Sequence, residues 1–200
     1  MTILYEVHNG LYVNLTNQCP CACTFCIRQN MEEVNASGSL WLEREPTVEE
    51  VKAEFSKFPM EKYSEVVFCG FGEPTERIYD LLEIASFVKE AYGKKIRVNT
   101  NGLGNLIHGT DITPLLEGKI DCVSISLNTP NAQEYDALTQ SRFGARAFDG
   151  LLEFAGKARQ YVPEVVMTTV ATTITQEEEQ QCKAICDKLG VKYRIRPYEG

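Results

Sequence analysis

The sequence predicts an α/β fold: a partial, open (β/α)6 barrel of about six parallel strands, with an N-terminal β-hairpin strand. Three observations predict it. Short apolar runs alternate with segments of helical period. An Asn-Gly signal separates two alternating runs near the N-terminus. Polar, glycine and cysteine residues collect just after successive apolar runs. Right-handed crossovers curl such a sheet one way, and about six βα units fall short of the closed eight-strand barrel.

The elements follow in order. Leu4 to Val7 and Leu11 to Leu15 flank His8-Asn9-Gly10 and read as a hairpin. Tyr12–Leu15 counts as the first parallel strand and leads into a cysteine loop. Later strands are expected at Val66–Cys69, Ile96–Asn99, Cys122–Leu127, Val165–Ala171 and Val191–Ile195. Their β-branched content suggests cover on both faces. Helical period marks Val48–Phe58, Ile78–Tyr92, Asn131–Leu138, Ala147–Tyr161 and Glu177–Leu189, with a shorter piece at Ile112–Leu116. Glu32–Leu42 is polar, carries Gly38 between two serines, and reads as a loop. The expectation is one domain over residues 1–200, with no repeat.

The chain has 44% apolar residues and a formal charge of −8. An acidic chain has no footprint for a phosphate backbone, so generic nucleic-acid binding is not expected. The N-terminus lacks the pattern of a signal peptide. No apolar run approaches the roughly 18 residues of a membrane span, so a cytoplasmic address is expected.

Of eight cysteines, Cys19, Cys21, Cys23 and Cys26 crowd into one segment. A secreted disulfide scaffold would need an export signal. Structural zinc takes four tetrahedral ligands, often as two separated pairs. No second Cys-x-x-Cys or His pair exists; the histidines are His8 and His108. Cys182 and Cys186 lie four apart on one expected helix and read as small core residues. An iron–sulfur cluster is the better reading. Three thiolates would leave one iron open for a ligand.

Parallel α/β sheets bind ligands at their C-terminal strand ends. The cysteine loop, Gly70-Phe71-Gly72-Glu73-Pro74, Thr100-Asn101-Gly102 and Asn128-Thr129-Pro130 all follow strands and would face one site.

Cys19-x-x-x-Cys23-x-Phe25-Cys26 resembles the radical SAM signature. Gly70-Phe-Gly-Glu73-Pro74 is similar to that family's Gly-Gly-Glu-Pro stretch, and Val98-Asn-Thr-Asn101-Gly102 and Val123-Ser-Ile-Ser126-Leu127 sit where it has its third and fourth strands. The wording of Cys69 to Arg77 and of Thr100 to Asn105 resembles the TatD-linked radical SAM group.

The resemblance implies that Cys19, Cys23 and Cys26 bind three irons of a 4Fe-4S cluster. The fourth iron would bind the amino and carboxylate groups of S-adenosylmethionine. An electron from a low-potential donor, such as flavodoxin or ferredoxin, would then cleave a C–S bond to give methionine and a 5′-deoxyadenosyl radical. That radical would abstract hydrogen from a substrate, macromolecule or small molecule. Gly70, Phe71, Gly72, Glu73 and Pro74 would meet the methionine amine; otherwise they are a plain strand-to-helix turn. Phe25 would lie on the adenine, or else in the core. Asn99, Asn101, Ser124, Ser126 and Asn128 are candidates for the ribose, the last three sharing a face by strand alternation. Arg142, Arg194 and Arg196 are candidates for the methionine carboxylate, or surface charges. The fifth-strand region lacks a glycine-and-acid pattern, leaving Val170 and Thr172 as adenine contacts. Cys21 is an extra thiol. The competing class is a non-enzymatic iron–sulfur or zinc protein serving electron transfer or redox sensing; a plain α/β module with fortuitous cysteines is a third reading.

Overall fold

The computed structural model describes residues 1–29 and 38–197. The expected loop over 32–42 therefore lies partly outside the described residues, and 38–42 is irregular. One seven-stranded sheet runs in chain order: β1 (Leu4–Val7), β2 (Gly10–Val13), β3 (Glu65–Phe68), β4 (Lys95–Thr100), β5 (Cys122–Ser126), β6 (Glu164–Val170) and β7 (Lys192–Arg196). β1 pairs antiparallel with β2, and every later pair is parallel. The six parallel strands and the open sheet match the expectation.

The hairpin differs in detail. Val7 pairs with Gly10, so the turn is His8-Asn9, with His8 at φ 52°. Gly10 starts β2, where a Cβ would stand 3.1 Å from the Tyr12 ring. This register sends Leu11 and Val13 into the core, and a one-residue slip would turn them outward.

The helices are α1 (Val48–Glu54), α2 (Ile78–Tyr92), α3 (Gly104–His108), α4 (Ala132–Thr139), α5 (Arg146–Ala158) and α6 (Gln176–Leu189). Their ends carry local signals. Thr47 with Glu50, and Thr175 with Glu178, form capping boxes on α1 and α6. Gly93 and Gly190 close α2 and α6 in left-handed conformation. The short α3 was not visible in the pattern; the expected piece at 112–116 is a 3-10 turn over Thr113–Leu116.

The core lies between the sheet and one layer of helices. Val66, Phe68, Ile96, Val98, Val123 and Ile125 pack there with Phe55, Leu81, Leu151 and Phe154. The other face of β4 and β5 carries Arg97, Asn99, Ser124 and Ser126, which line open space. This corrects the expectation of cover on both faces. Among the described residues, helices cover only the outer face, and the curled inner face of β4 and β5 stays polar because it borders a cavity. No helix among the described residues is long and apolar enough to cross a membrane.

Cys182 and Cys186 are both 0% exposed in the helix–sheet core, and burial pushes their thiols up to about 12 and about 11. Cys182→Ala is expected to cost about 1 kcal/mol through the void it leaves, read by thermal unfolding, with bound iron unchanged. A loss of iron would assign this pair a metal role.

Candidate active site

The cysteine loop runs irregularly from Asn14 to a 3-10 turn at Ile27–Gln29. Neighbours on three sides fix it. On one side Ala22 N and Thr24 N donate to Thr139 O and Leu138 O at 3.0 and 2.9 Å, and Arg142 N donates to Pro20 O at 2.8 Å. On the second, Glu73 N donates to Gln18 O at 2.7 Å. On the third, Asn14 Nδ2 donates to Leu40 O and Asn17 Nδ2 to Leu42 O, each at 2.8 Å. Arg28 then closes the loop on itself, its guanidinium donating to Asn17 O at 3.4 Å and to Cys21 O at 3.3 Å.

Cys19, Cys23 and Cys26 are part-exposed, whereas Cys21 is 4% exposed and belongs to the core. The Cys21 thiol bonds to Cys19 and Cys23, which holds those two thiols below the ordinary range and pushes Cys21 above it. Burial pushes Cys26 up, and the Arg28 charge opposes it. The sulfurs thus bond to one another instead of splaying around a centre. Accordingly, no three His, Cys, Asp or Glu side chains among the described residues form a group that could hold a metal ion.

A cavity of about 470 Å³ opens beside this loop, at the C-terminal ends of the parallel strands. A larger recess, about 730 Å³, lies at the N-terminal ends. Its carboxylates Glu65, Asp121 and Glu164 are bound to Arg97, Lys89 and Lys192. Parallel sheets bind ligands at their C-terminal ends, and the cysteines lie there, so the smaller cavity is the candidate site.

Gly70, Gly72 and Glu73 line it from the β3 loop. Asn99, Asn101, Ser124 and Ser126 line it from β4 and β5, and Arg194 and Arg196 from β7. Asn101 joins cavity to loop: its Nδ2 stands 3.9 Å from Cys19 Sγ and 3.8 Å from Cys21 Sγ.

The remaining candidates are elsewhere. Phe25 is 50% exposed, so it is not a core residue, and it lines neither cavity. Phe71 points away and packs with Tyr5 and Leu40. Pro74 is buried as the first residue of a 3-10 turn. Asn128 was expected to continue the face of Ser124 and Ser126, but β5 ends at Ser126 and Asn128 is left-handed at φ 66°, which breaks the alternation. Arg142 lies over the Phe143 ring and 3.4 Å from Glu76. Val170 and Thr172 lie outside the lining, Thr172 left-handed at φ 70°.

Glu73 differs most from its expected role against the methionine amine. Its Oε1 accepts from Thr75 N, Thr75 Oγ1 and Thr100 Oγ1, and its Oε2 accepts from Asn101 N. The carboxylate therefore ties the β3 loop to the β4 loop. Burial pushes it above the ordinary glutamate range, and the four donors pull the other way.

Sequence reasoning missed Asn14, Asn17 and Arg28 around the cysteines, and Arg97 and Thr168 on the cavity wall. Arg97 was open to discovery: Lys95-Ile-Arg97-Val-Asn99-Thr alternates strictly, so Arg97 shares the face of Asn99.

Comparison with known proteins agrees with this geometry. The radical SAM superfamily profile matches residues 13–189. GTP 3′,8-cyclase of Corynebacterium glutamicum is 31% identical over 142 residues, which is 68% of this chain and 35% of that protein. The chain thus spans about a third of the length of the curated relatives it matches. Among solved structures, Streptococcus suis SuiB bound to precursor peptide SuiA superposes with a TM-score of 0.69 at 14% identity, covering 98% of this chain and 40% of that one. A radical SAM methyltransferase from Sphaerobacter thermophilus gives 0.65 at 16%, covering 98% and 69%. These two likenesses concern the fold.

Two outcomes test the site's construction. Gly72→Ala would put a Cβ 2.3 Å from Thr16 O, and is expected to cost about 1–3 kcal/mol, seen as a lowered unfolding midpoint. Glu73 titrates higher folded than unfolded, so its contribution to stability is present in acid and is lost as pH rises through the folded value. The wild-type midpoint should therefore fall relative to Glu73→Gln as pH rises from the ordinary glutamate range; a flat difference would refute the shift.

With the matched profile spanning most of its length, the chain belongs to the radical SAM superfamily, whose members use a 4Fe-4S cluster and S-adenosylmethionine.

Proposed function

We propose that residues 1–200 form one radical SAM core in which Cys19, Cys23 and Cys26 hold the cluster. The observation that carries this reading is that three part-exposed thiols share the loop after β2, and that one of them, Cys19, meets through Asn101 a cavity of about 470 Å³. The donor set fits the group, because thiolates are the usual cluster ligands. Its loop is held by backbone bonds to two neighbouring segments, so the backbone is fixed before the group binds, and the thiols have only to turn from one another toward it. An electron carrier has no need of such a cavity, which disfavours the non-enzymatic alternative.

When bound, the cluster and S-adenosylmethionine supply a one-electron reductive C–S cleavage. The chain's residues bind and orient. Gly72, kept bare by the cysteine loop packed against it, exposes backbone beside that loop. Ser124 and Ser126 offer hydroxyls toward a ribose, and Asn99 an amide. Arg28 brings positive charge to the thiolates. Membership of the TatD-linked group is supported by the strings Cys69 to Arg77 and Thr100 to Asn105. All eight cysteines are free thiols, in keeping with a reducing cytoplasm and a flavodoxin or ferredoxin as electron donor.

The test is anaerobic. The protein is reconstituted with iron and sulfide, reduced and given S-adenosylmethionine; 5′-deoxyadenosine and methionine should appear. A protein that takes up no iron would refute the proposal. Alanine at Cys19, Cys23 or Cys26 should remove the cluster, by iron and sulfide analysis and visible absorption. Cys21→Ala should keep it, and loss of iron there would show that the ligand triple is wrong.

A further inference from the structure

Resting on that function, we propose that Arg194 and Arg196 bind an anionic group, phosphate or carboxylate, on the substrate. They do not serve the methionine end of S-adenosylmethionine.

The first observation is the charge of the cavity. The chain carries −8 overall, yet Glu73 is the single carboxylate among the described residues lining this cavity. Its two oxygens already accept four hydrogen bonds. The lining cations are Arg97, Arg194 and Arg196. Arg97 is bound to Glu65 at 2.6 Å. Arg194 also borders the recess below, and the three carboxylates there are bound to other cations: Glu65 to Arg97, Asp121 to Lys89 and Glu164 to Lys192. Among the described residues, Arg194 is thus left facing the cavity with no carboxylate of its own.

The second observation is position. Arg194 and Arg196 stand two residues apart on one face of β7, about 7 Å along the strand. Two guanidiniums held that close suit an anion with several oxygens, because each can bind two of them side by side. The register sets Ser126 beside Thr168 and Thr168 beside Arg194. Adjacent strands are about 4.8 Å apart, so Arg194 lies about 10 Å beyond Ser126 across the sheet. The cysteine loop follows β2, at the other end of the parallel run. A ligand chelated at the cysteines and passing its ribose to Ser126 reaches β7 last, so what meets the arginines belongs to the second reactant. In a chain of net negative charge, a local cationic wall also selects such a reactant from a distance.

The test titrates the reconstituted protein calorimetrically with inorganic pyrophosphate, succinate and S-adenosylmethionine in turn. Arg194→Gln with Arg196→Gln should weaken binding of pyrophosphate or succinate by about tenfold or more, and whichever probe binds the wild type tighter identifies phosphate or carboxylate. Affinity for S-adenosylmethionine should stay within about twofold. Arg142→Gln, away from the cavity, should match the wild type throughout. Arg194→Gln alone should lose part of the anion affinity if the double variant fails to fold. Equal anion affinity in wild type and variants overturns the proposal. A tenfold loss of S-adenosylmethionine affinity in the double variant, roughly 1.4 kcal/mol, overturns it too and returns the arginines to the methionine carboxylate. Failure to take up iron would instead count against the proposed function, since the anion titration reads without the cluster.

Discussion

The close packing of the β3 loop on the cysteine loop underlies the rest of the site. A Cβ on Gly70 would stand 2.1 Å from Asn14 Oδ1, and one on Gly72 would stand 2.3 Å from Thr16 O and 2.6 Å from Gln18 O. No side chain fits at either position. With glycine there, the two backbones approach until Glu73 N reaches Gln18 O at 2.7 Å. The same approach buries the Glu73 carboxylate, which must then find donors or carry an unmet cost. It finds them in the β4 loop, at Thr100 and Asn101. One steric constraint thus links three loops in series. Asn101, fixed at the end of that series, turns its amide back toward Cys19 and Cys21.

That series explains why glycines stand beside a candidate cofactor site. Their first duty is to the protein itself, since they allow the thiol-bearing loop to lie flat on its neighbour. Access for a ligand's polar group comes with it, because backbone bare of side chains on one side stays bare at the cavity edge.

The polar inner wall has a separate cause. Helices lie on one face of the curled sheet, so apolar residues alternate with polar ones along β4 and β5. The polar set borders the cavity, where it can be hydrated or bound by ligand, and so avoids the penalty of an unpaired buried group. β6 differs, with Val165 to Thr169 buried on both faces. β7 is the open edge and carries Lys192, Arg194 and Arg196. Charges on an edge strand also discourage pairing with another chain, so these arginines serve solubility and recognition together.

The sequence by itself determined the order and kind of almost every element. Strand and helix signals are local: periodicity of two or 3.6 residues, the capping pairs Thr47–Glu50 and Thr175–Glu178, and the glycines after α2 and α6. It also determined that the cysteine, glycine and asparagine loops share one end of the sheet, because connectivity in a parallel fold fixes which end each loop occupies. Tertiary structure alone decided what those residues do there. Whether Glu73 faces a ligand or braces two loops depends on donors 27 and 28 positions away. Arg142 is drawn aside by Glu76, and Asn128 is turned by a left-handed backbone angle that no residue pattern announces. Among the described residues, Arg194 is left without an acid because Lys192, Arg97 and Lys89 occupy the carboxylates near it. Such outcomes are competitions among side chains distant in sequence, and they are settled by distance and burial, which exist only once the chain is folded.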